Sequence, residues 1–181
     1  AASTNVKRPN VETALAEALY LTDIERNGDI VEMTSYAPML AKDGHHNWNP
    51  DMIYFSNTEV RPTPAYETQR LFSVYGGDRY VASELKINVT HESGASEKPT
   101  FAHRLGASVV RNSKTGKTYL KVINALPEKL ILDVEGLAIP VGTKTIGFDG
   151  LPEDQQVVIK TEETTGKTLE LPPYSIRVIE L

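Results

Sequence analysis

The chain has 181 residues, enough for one sizeable domain or for one domain with part of another. Its 19 Lys and Arg residues against 24 Asp and Glu residues give a net charge of −5, and this acidic balance argues against non-specific nucleic-acid binding. The chain has no cysteine, which excludes disulfides, thiolate zinc sites and thiol nucleophiles. No apolar run approaches the ~18–20 residues that a membrane helix requires.

The beginning of the chain gives no targeting information. Ala-Ala-Ser-Thr-Asn contains neither a start methionine nor a basic region followed by an apolar one. The hydrophobic share of 40% is too high for a disordered chain. We therefore expect a folded segment of a longer protein.

Residues 10–75 predict a helix, a strand, a long loop and a second helix. Asn10 is a suitable N-cap, and the apolar residues after it recur at helical spacing up to Asn27-Gly28, which is predicted to end the helix in a left-handed turn. A short strand over residues 30–36 follows. The polar loop over 37–62 contains a short extended piece at 52–55. Thr63-Pro64 then caps a helix that stops at Gly76-Gly77.

From about residue 79 the apolar pattern changes to period two, which is typical of half-buried strands. A hairpin with glycine at its turn is predicted for residues 107–123. Gly142, Gly147 and Gly150 are interpreted as turn residues between strands. The pattern predicts an antiparallel β-sandwich built from strands over residues 81–89, 107–111, 118–123, 130–134, 157–160, 168–171 and 175–179.

The strand over residues 30–36 poses a physical problem. Such a strand between two helices is the repeat unit of a parallel α/β fold, in which neighbouring strands satisfy its backbone groups. Residues 10–75 contain no second strong parallel strand. Each buried unpaired group would cost about 1–3 kcal/mol, so we expect the neighbours to lie outside this chain.

Several segments, in this order, resemble the C-terminal half of the family 51 glycoside hydrolases, the α-L-arabinofuranosidases. The resemblance is strong over residues 12–75 and looser beyond. Its motifs are residues 23–40, Asn47-Trp-Asn-Pro-Asp51, Ile53-Tyr-Phe55, Thr63-Pro-Ala-Tyr66, Gln69-Arg-Leu-Phe72 and the ending over residues 171–179.

The resemblance implies a mainly β chain. Residues 79–181 would form a jelly-roll-like antiparallel sandwich, and residues 1–78 would be the last helix, strand and helix of a (β/α)8 catalytic barrel. It also implies a retaining mechanism with two glutamates, both on barrel strands upstream of this chain, so no catalytic residue is assigned here. Glu32, in the predicted strand, is interpreted as a charge at the base or outer face of the barrel. The sandwich is expected to lack strands that come from the parent's N-terminus.

Four residues are candidates for contact with a sugar, because barrel sites lie at the C-terminal ends of strands and in the following loops. They are Tyr36, Asn47, Trp48 and Asn49. Trp48 offers a flat apolar face flanked by two amides, although packing in a core is the competing interpretation. The adjacent His45 and His46 have no metal-ligand spacing and are interpreted as part of a solvated loop.

The leading hypothesis is therefore the C-terminal segment of an enzyme that removes terminal L-arabinofuranose from arabinan or arabinoxylan, inactive without the rest of its barrel. The alternatives for the sandwich are a carbohydrate-binding module and a structural clamp that also forms oligomer contacts. Its five aromatic residues, none a tryptophan, are a poor platform for sugars. We expect the upstream barrel as a partner, no cofactor, no nucleic acid and no membrane. Localisation is not assigned: members of the resembled family act on plant polysaccharides outside or inside the cell, and a secreted or periplasmic parent is one of these alternatives.

Overall fold

The computed structural model describes residues 7–87 and 101–181. Two α-helices, α1 (Val11–Arg26) and α2 (Pro64–Val74), accompany eleven strands and a 3₁₀ turn at Ala102–Arg104. Neither helix has the length and hydropathy needed to span a bilayer. The strands are β1 (Leu40–Lys42), β2 (Ile53–Phe55), β3 (Val60–Pro62), β4 (Arg79–Tyr80), β5 (Leu105–Arg111), β6 (Thr118–Asn124), β7 (Leu130–Asp133), β8 (Lys144–Asp149), β9 (Lys160–Glu163), β10 (Thr168–Leu171) and β11 (Ser175–Glu180).

The start of α1 follows from its sequence. The Asn10 side chain accepts a hydrogen bond from the Thr13 backbone N–H at 3.0 Å, and the Asn10 backbone N–H donates to Thr13 Oγ1 at 3.0 Å. This reciprocal capping box satisfies two of the backbone groups that a helix end leaves without partners. The predicted left-handed ending is wrong: Asn27 has φ −103°, and Gly28 is not among the residues with positive φ.

The main sheet has six strands in the order β4-β5-β6-β11-β8-β9, and every pair in it is antiparallel. A two-stranded sheet of β10 and β7 is also antiparallel. A small three-stranded sheet joins β1 and β2 in parallel and β2 and β3 in antiparallel fashion. The predicted hairpin is confirmed, with Arg111 paired to Thr118 and Gly116 at φ +76° in the turn.

The two faces of the six-stranded sheet bury two separate cores. The helix-side core joins α1 and α2 to the sheet, with Leu15 and Leu71 packed in the same cluster as Phe148 and Ile176. The sandwich core lies on the other face, under β7 and β10. Because both faces are covered, β11 is buried along nearly its whole length. The prediction of a mainly β chain with an antiparallel sandwich is confirmed.

The predicted strand over residues 30–36 is wrong for the described chain. No residue of this segment belongs to a strand, because no described segment forms a ladder with it. The parallel pair of β1 and β2 lies further along the chain and does not supply a neighbour. Ile30 and Met33 are 77% and 85% exposed. The N–H groups of Ile30 and Val31 bond to the Asn27 carbonyl, but the segment forms no strand ladder and exposes these two apolar side chains, Ile30 and Met33.

Two strand predictions in the second half also need correction. The strand predicted over residues 81–89 is not observed; the nearest strand, β4, ends at Tyr80. Val81 N–H still bonds to the Val109 carbonyl at 2.8 Å, but residues 82–87 form no ladder and residues 88–89 lie outside the described range. The strand predicted over 157–160 begins only at Lys160, although Val157 and Ile159 do pack against the helix-side core.

The interpretation of Gly147 as a turn residue is wrong, and for this reason β8 is not predicted from the sequence. Gly147 lies inside β8, opposite Arg177 of β11. A Cβ atom at this position would lie 1.9 Å from the Ile176 carbonyl oxygen, so only glycine permits the observed approach of the two strands.

Candidate functional site

The loop between β1 and β2 presents Trp48 to solvent. Its side chain is 65% exposed, and the flanking Asn47 and Asn49 are exposed as well. Within the part of the chain that the structure describes, Trp48 therefore does not pack in a core, which was the competing interpretation from the sequence.

A buried tyrosine fixes the base of this loop. Tyr54 on β2 is 2% exposed, and its hydroxyl accepts a hydrogen bond from the Asp51 backbone N–H at 3.1 Å. The Asn49 side-chain amide lies 3.1 Å from the same hydroxyl, and with its nitrogen directed inward it donates to this hydroxyl and to the carbonyl oxygens of Lys7 and Trp48. The Arg8 guanidinium lies 4.7 Å from the centroid of the Tyr54 ring. The loop is therefore tied both to β2 and to the chain before α1.

His46 lies in the same loop and forms a second set of contacts within it. Its Nδ1 atom lies 2.8 Å from the Trp48 carbonyl oxygen and 3.7 Å from Oδ2 of Asp51. The two rings of His46 and Tyr54 meet edge to face at 5.7 Å. Asp51 is 2% exposed, and this burial raises the pKa of its carboxyl, an effect that the nearby His46 opposes.

Tyr36 is half-buried and faces α1. Burial raises the pKa of its hydroxyl well above the usual range, and the charge of Glu17 together with a hydrogen bond to it adds to this effect. Tyr36 and Glu17 line a cavity of about 600 Å³ with Tyr20, Ser35 and Gln69.

The structure places three of the four predicted residues together in the loop between β1 and β2, and Tyr36 in the separate cavity beside α1. Asn47, Trp48 and Asn49 are exposed, and Tyr36 is directed towards Glu17. His46, Asp51 and Tyr54 hold the loop through contacts to Trp48 and Asn49, and the sequence did not predict a role for these three. The Asn-Pro-Asp sequence after Trp48 and the apolar context of Tyr54 were the only signals. Among the described residues, no group of three or more His, Asp or Glu side chains has the arrangement of a metal site.

Arg61 stabilises the far side of the loop. It forms ion pairs with Asp43 and, at 2.7 Å, with Glu59. Its hydrogen bond to Asp43 lowers the pKa of that carboxyl despite an opposing effect of desolvation. The pair links β3 to the chain just after β1, so that the loop leaves the small sheet from a fixed position.

Comparison with known proteins assigns the chain to a family. A family model described as the α-L-arabinofuranosidase C-terminal domain matches residues 1–175. The chain belongs to this family. Two curated relatives are the probable α-L-arabinofuranosidase A of Aspergillus flavus, 31% identical over 94% of this chain, and α-L-arabinofuranosidase 1 of Arabidopsis thaliana, 37% identical over 60%. The chain spans only 27% and 14% of their lengths.

Solved structures share the fold. An arabinose-bound family 51 α-L-arabinofuranosidase, named MgGH51, matches 97% of this chain and 28% of its own with a TM-score of 0.76 at 29% identity. The α-L-arabinofuranosidase of Thermotoga maritima, solved as an arabinose complex, matches all of this chain and 40% of its own with a TM-score of 0.70; at 17% identity this likeness concerns the fold alone.

Proposed function

We propose that this chain is the C-terminal segment of a retaining α-L-arabinofuranosidase that removes terminal L-arabinofuranose from arabinan or arabinoxylan. The match of the family model to residues 1–175 is the observation that carries the proposal. The exposed Trp48 and its flanking amides supply a surface suited to a sugar ring, which has apolar C–H faces and polar edges.

We place residues 1–78 in the catalytic barrel and residues 79–181 in the sandwich. The segment over residues 30–36 supports this division, because it has no ladder partner in the described chain and exposes Ile30 and Met33. Docking on the preceding barrel strands would pair its backbone groups and cover these side chains. Met39, Leu40 and Val60, which are 52–68% exposed, would add to the same contact.

The two catalytic glutamates lie in the preceding part of the barrel under this proposal. Retaining glycosidases place two carboxyl groups about 5 Å apart across the scissile bond. Glu32, the glutamate of the segment over residues 30–36, is exposed and is not assigned a chemical role. The chain by itself is therefore inactive, whereas the complete protein hydrolyses arabinofuranosides.

Replacement of Trp48 tests the sugar contact in the complete protein. If the indole stacks on the sugar, Trp48→Ala raises KM for an aryl α-L-arabinofuranoside roughly tenfold, which corresponds to about 1.4 kcal/mol of lost stacking and burial. Ile131→Ala, which removes a 56% exposed side chain from β7 in the sandwich, is the control and leaves KM unchanged. An unchanged KM in Trp48→Ala with wild-type kcat would refute the contact.

For the sandwich we propose the role of a structural clamp. The helix-side core contains α1, α2 and the six-stranded sheet together, so the sheet covers the outer surface of the barrel helices. Among the described sandwich residues, Tyr119 and Phe148 are buried and unavailable for stacking on a glycan. Calorimetric titration of the Trp48→Ala chain with arabino-oligosaccharides is expected to show no binding. A clear isotherm would favour a carbohydrate-binding module instead.

A further inference from the structure

The peptide backbone around Trp48 is held in place although its indole is exposed. On one side the Trp48 carbonyl lies 2.8 Å from Nδ1 of His46. On the other side Asn49 is tied to the hydroxyl of the buried Tyr54. When a ligand covers an aromatic side chain whose backbone is already fixed, only side-chain rotamer freedom is lost, and the backbone contributes no further ordering cost.

The environment of His46 identifies the atom that carries its proton. Nδ1 faces two acceptors, the Trp48 carbonyl at 2.8 Å and Oδ2 of Asp51 at 3.7 Å. A carbonyl oxygen can only accept, so the 2.8 Å contact requires the proton to sit on Nδ1. Within the part of the chain that the structure describes, Oδ2 of Asp51 is buried and accepts no hydrogen bond. The Nδ1–H group of His46, 3.7 Å away, provides an electrostatic contact to this oxygen rather than a hydrogen bond.

The burial of the three side chains shows which of them can hold the others. Asp51 and Tyr54 are both 2% exposed, and the His46 side chain is 22% exposed with its ring edge-to-face against Tyr54. Asp51 is fixed by its backbone N–H bond to the Tyr54 hydroxyl. The most buried side chains, Asp51 and Tyr54, therefore lie on the β2 side. His46 packs against them and holds the Trp48 carbonyl.

We propose that His46, oriented by Asp51 and Tyr54, is a positioning residue that presents the Trp48 indole to a neutral furanose ring. This role rests on the proposed function, since it assumes that Trp48 contacts sugar. His46 itself touches no reacting atom. Its effect is to hold the Trp48 carbonyl oxygen in place, which fixes the direction in which the indole projects from the loop.

The adjacent histidine provides a matched control for the test. His45 is exposed, and only its backbone N–H forms a described hydrogen bond, to the Lys42 carbonyl. His46→Phe removes the donor and keeps a ring, whereas His46→Asn keeps a donor close to the position of Nδ1. His45→Phe makes the same chemical change one residue away. All three variants are checked first for wild-type thermal stability.

Fluorescence reads the loop directly, because Trp48 is the single tryptophan of the chain. In the 181-residue chain, His46→Phe is expected to lower the anisotropy of tryptophan emission, and His46→Asn and His45→Phe to leave it at the wild-type value. In the complete protein, His46→Phe is expected to raise KM for an aryl arabinofuranoside about three- to tenfold with kcat within twofold, the range expected from one lost hydrogen bond. His46→Asn restores KM.

Three results would overturn the proposal: unchanged anisotropy in His46→Phe, an equal change in His45→Phe, or no recovery in His46→Asn. Failure of the proposed function gives a different pattern. In that case Trp48→Ala leaves KM unchanged, while His46→Phe still lowers the anisotropy. The positioning of the loop and the sugar contact are therefore tested separately.

Discussion

The buried ion pair between α1 and the sheet allows a quantitative test of how the helices are attached. Lys121 on β6 is fully buried, and its ammonium pairs with Glu25 of α1 and lies 5.0 Å from the centroid of the Phe72 ring in α2. Glu25 is 15% exposed and also accepts a hydrogen bond from Ser108 Oγ at 2.5 Å. Burial lowers the pKa of Lys121, and the charge of Glu25 opposes this change.

Removing the anion is expected to cost more than removing the cation. Two unit charges about 4 Å apart attract by roughly 4 kcal/mol at an effective dielectric constant of about 20. Glu25→Leu leaves the Lys121 ammonium buried without a counter-charge, so we expect a loss of about 3–5 kcal/mol in the free energy of unfolding. Lys121→Met keeps an apolar stem against Phe72 and leaves Glu25 partly solvated and bonded to Ser108, so about 1–2 kcal/mol is expected.

Urea unfolding of the chain, followed by circular dichroism, measures these differences at pH 7. The double variant is expected to be more stable than Glu25→Leu alone, which gives a coupling energy of about 2–3 kcal/mol. The pKa of Lys121 also predicts the direction in which the stability of Glu25→Leu changes with pH. With its folded-state pKa lowered, Lys121 binds fewer protons in the folded chain than in the unfolded chain, so the stability of Glu25→Leu rises as the pH increases towards the ordinary lysine pKa of 10.5. Additive losses, or a flat pH profile for this variant, would refute the reasoning.

Three further changes test the fold. Gly147→Ala forces a Cβ against the Ile176 carbonyl in the middle of the six-stranded sheet, and we expect at least 3 kcal/mol of destabilisation or no folded protein, measured by urea unfolding. Asn10→Ala removes the cap of α1 and is expected to cost about 1 kcal/mol by the same measurement. Asp149→Asn loses the ion pair to the buried Arg177 and is expected to destabilise the chain at pH 7, by an amount that shrinks as the pH falls below 3.8.

The sign of the last prediction follows from the pKa of Asp149. Burial alone would raise this pKa, but the hydrogen bonds and charges of Arg177 and Lys160 outweigh burial and hold it below the ordinary value of 3.8. The carboxylate therefore contributes its stability above that value and loses it as the pH falls through the folded-state pKa. A constant difference between Asp149→Asn and wild type from pH 7 to pH 2 would contradict this. Wild-type stability in Gly147→Ala or Asn10→Ala would contradict the other two.

Local signals predicted much of the fold correctly. The cap at Asn10, the proline after Thr63 and the glycine in the hairpin turn act over a few residues, so they define α1, α2 and the β5-β6 pair without knowledge of the rest. Gly147 shows the limit of such signals. Its presence in β8 is required by the backbone of β11, about thirty residues further along the chain, and by sequence alone it is indistinguishable from a turn glycine.

The candidate site was predicted in part for the same reason. Trp48 stands out from its residue type and its flanking amides. The loop that carries Trp48 is held by contacts from His46, Asp51 and Tyr54. These contacts depend on the conformation of the loop and on the burial of β2, and no residue spacing in the sequence predicts either. The segment over residues 30–36 has an apolar strand pattern but no ladder partner in the described chain, so the local pattern alone did not predict its conformation.

Hydrolysis of p-nitrophenyl α-L-arabinofuranoside is the most direct test of the central claim, that this chain belongs to an arabinofuranosidase whose reactive carboxylates lie elsewhere. We predict no release of p-nitrophenol above background by the purified 181-residue chain, and steady release by the complete protein. Turnover by the chain alone would contradict the account, and so would a complete protein that leaves the substrate intact.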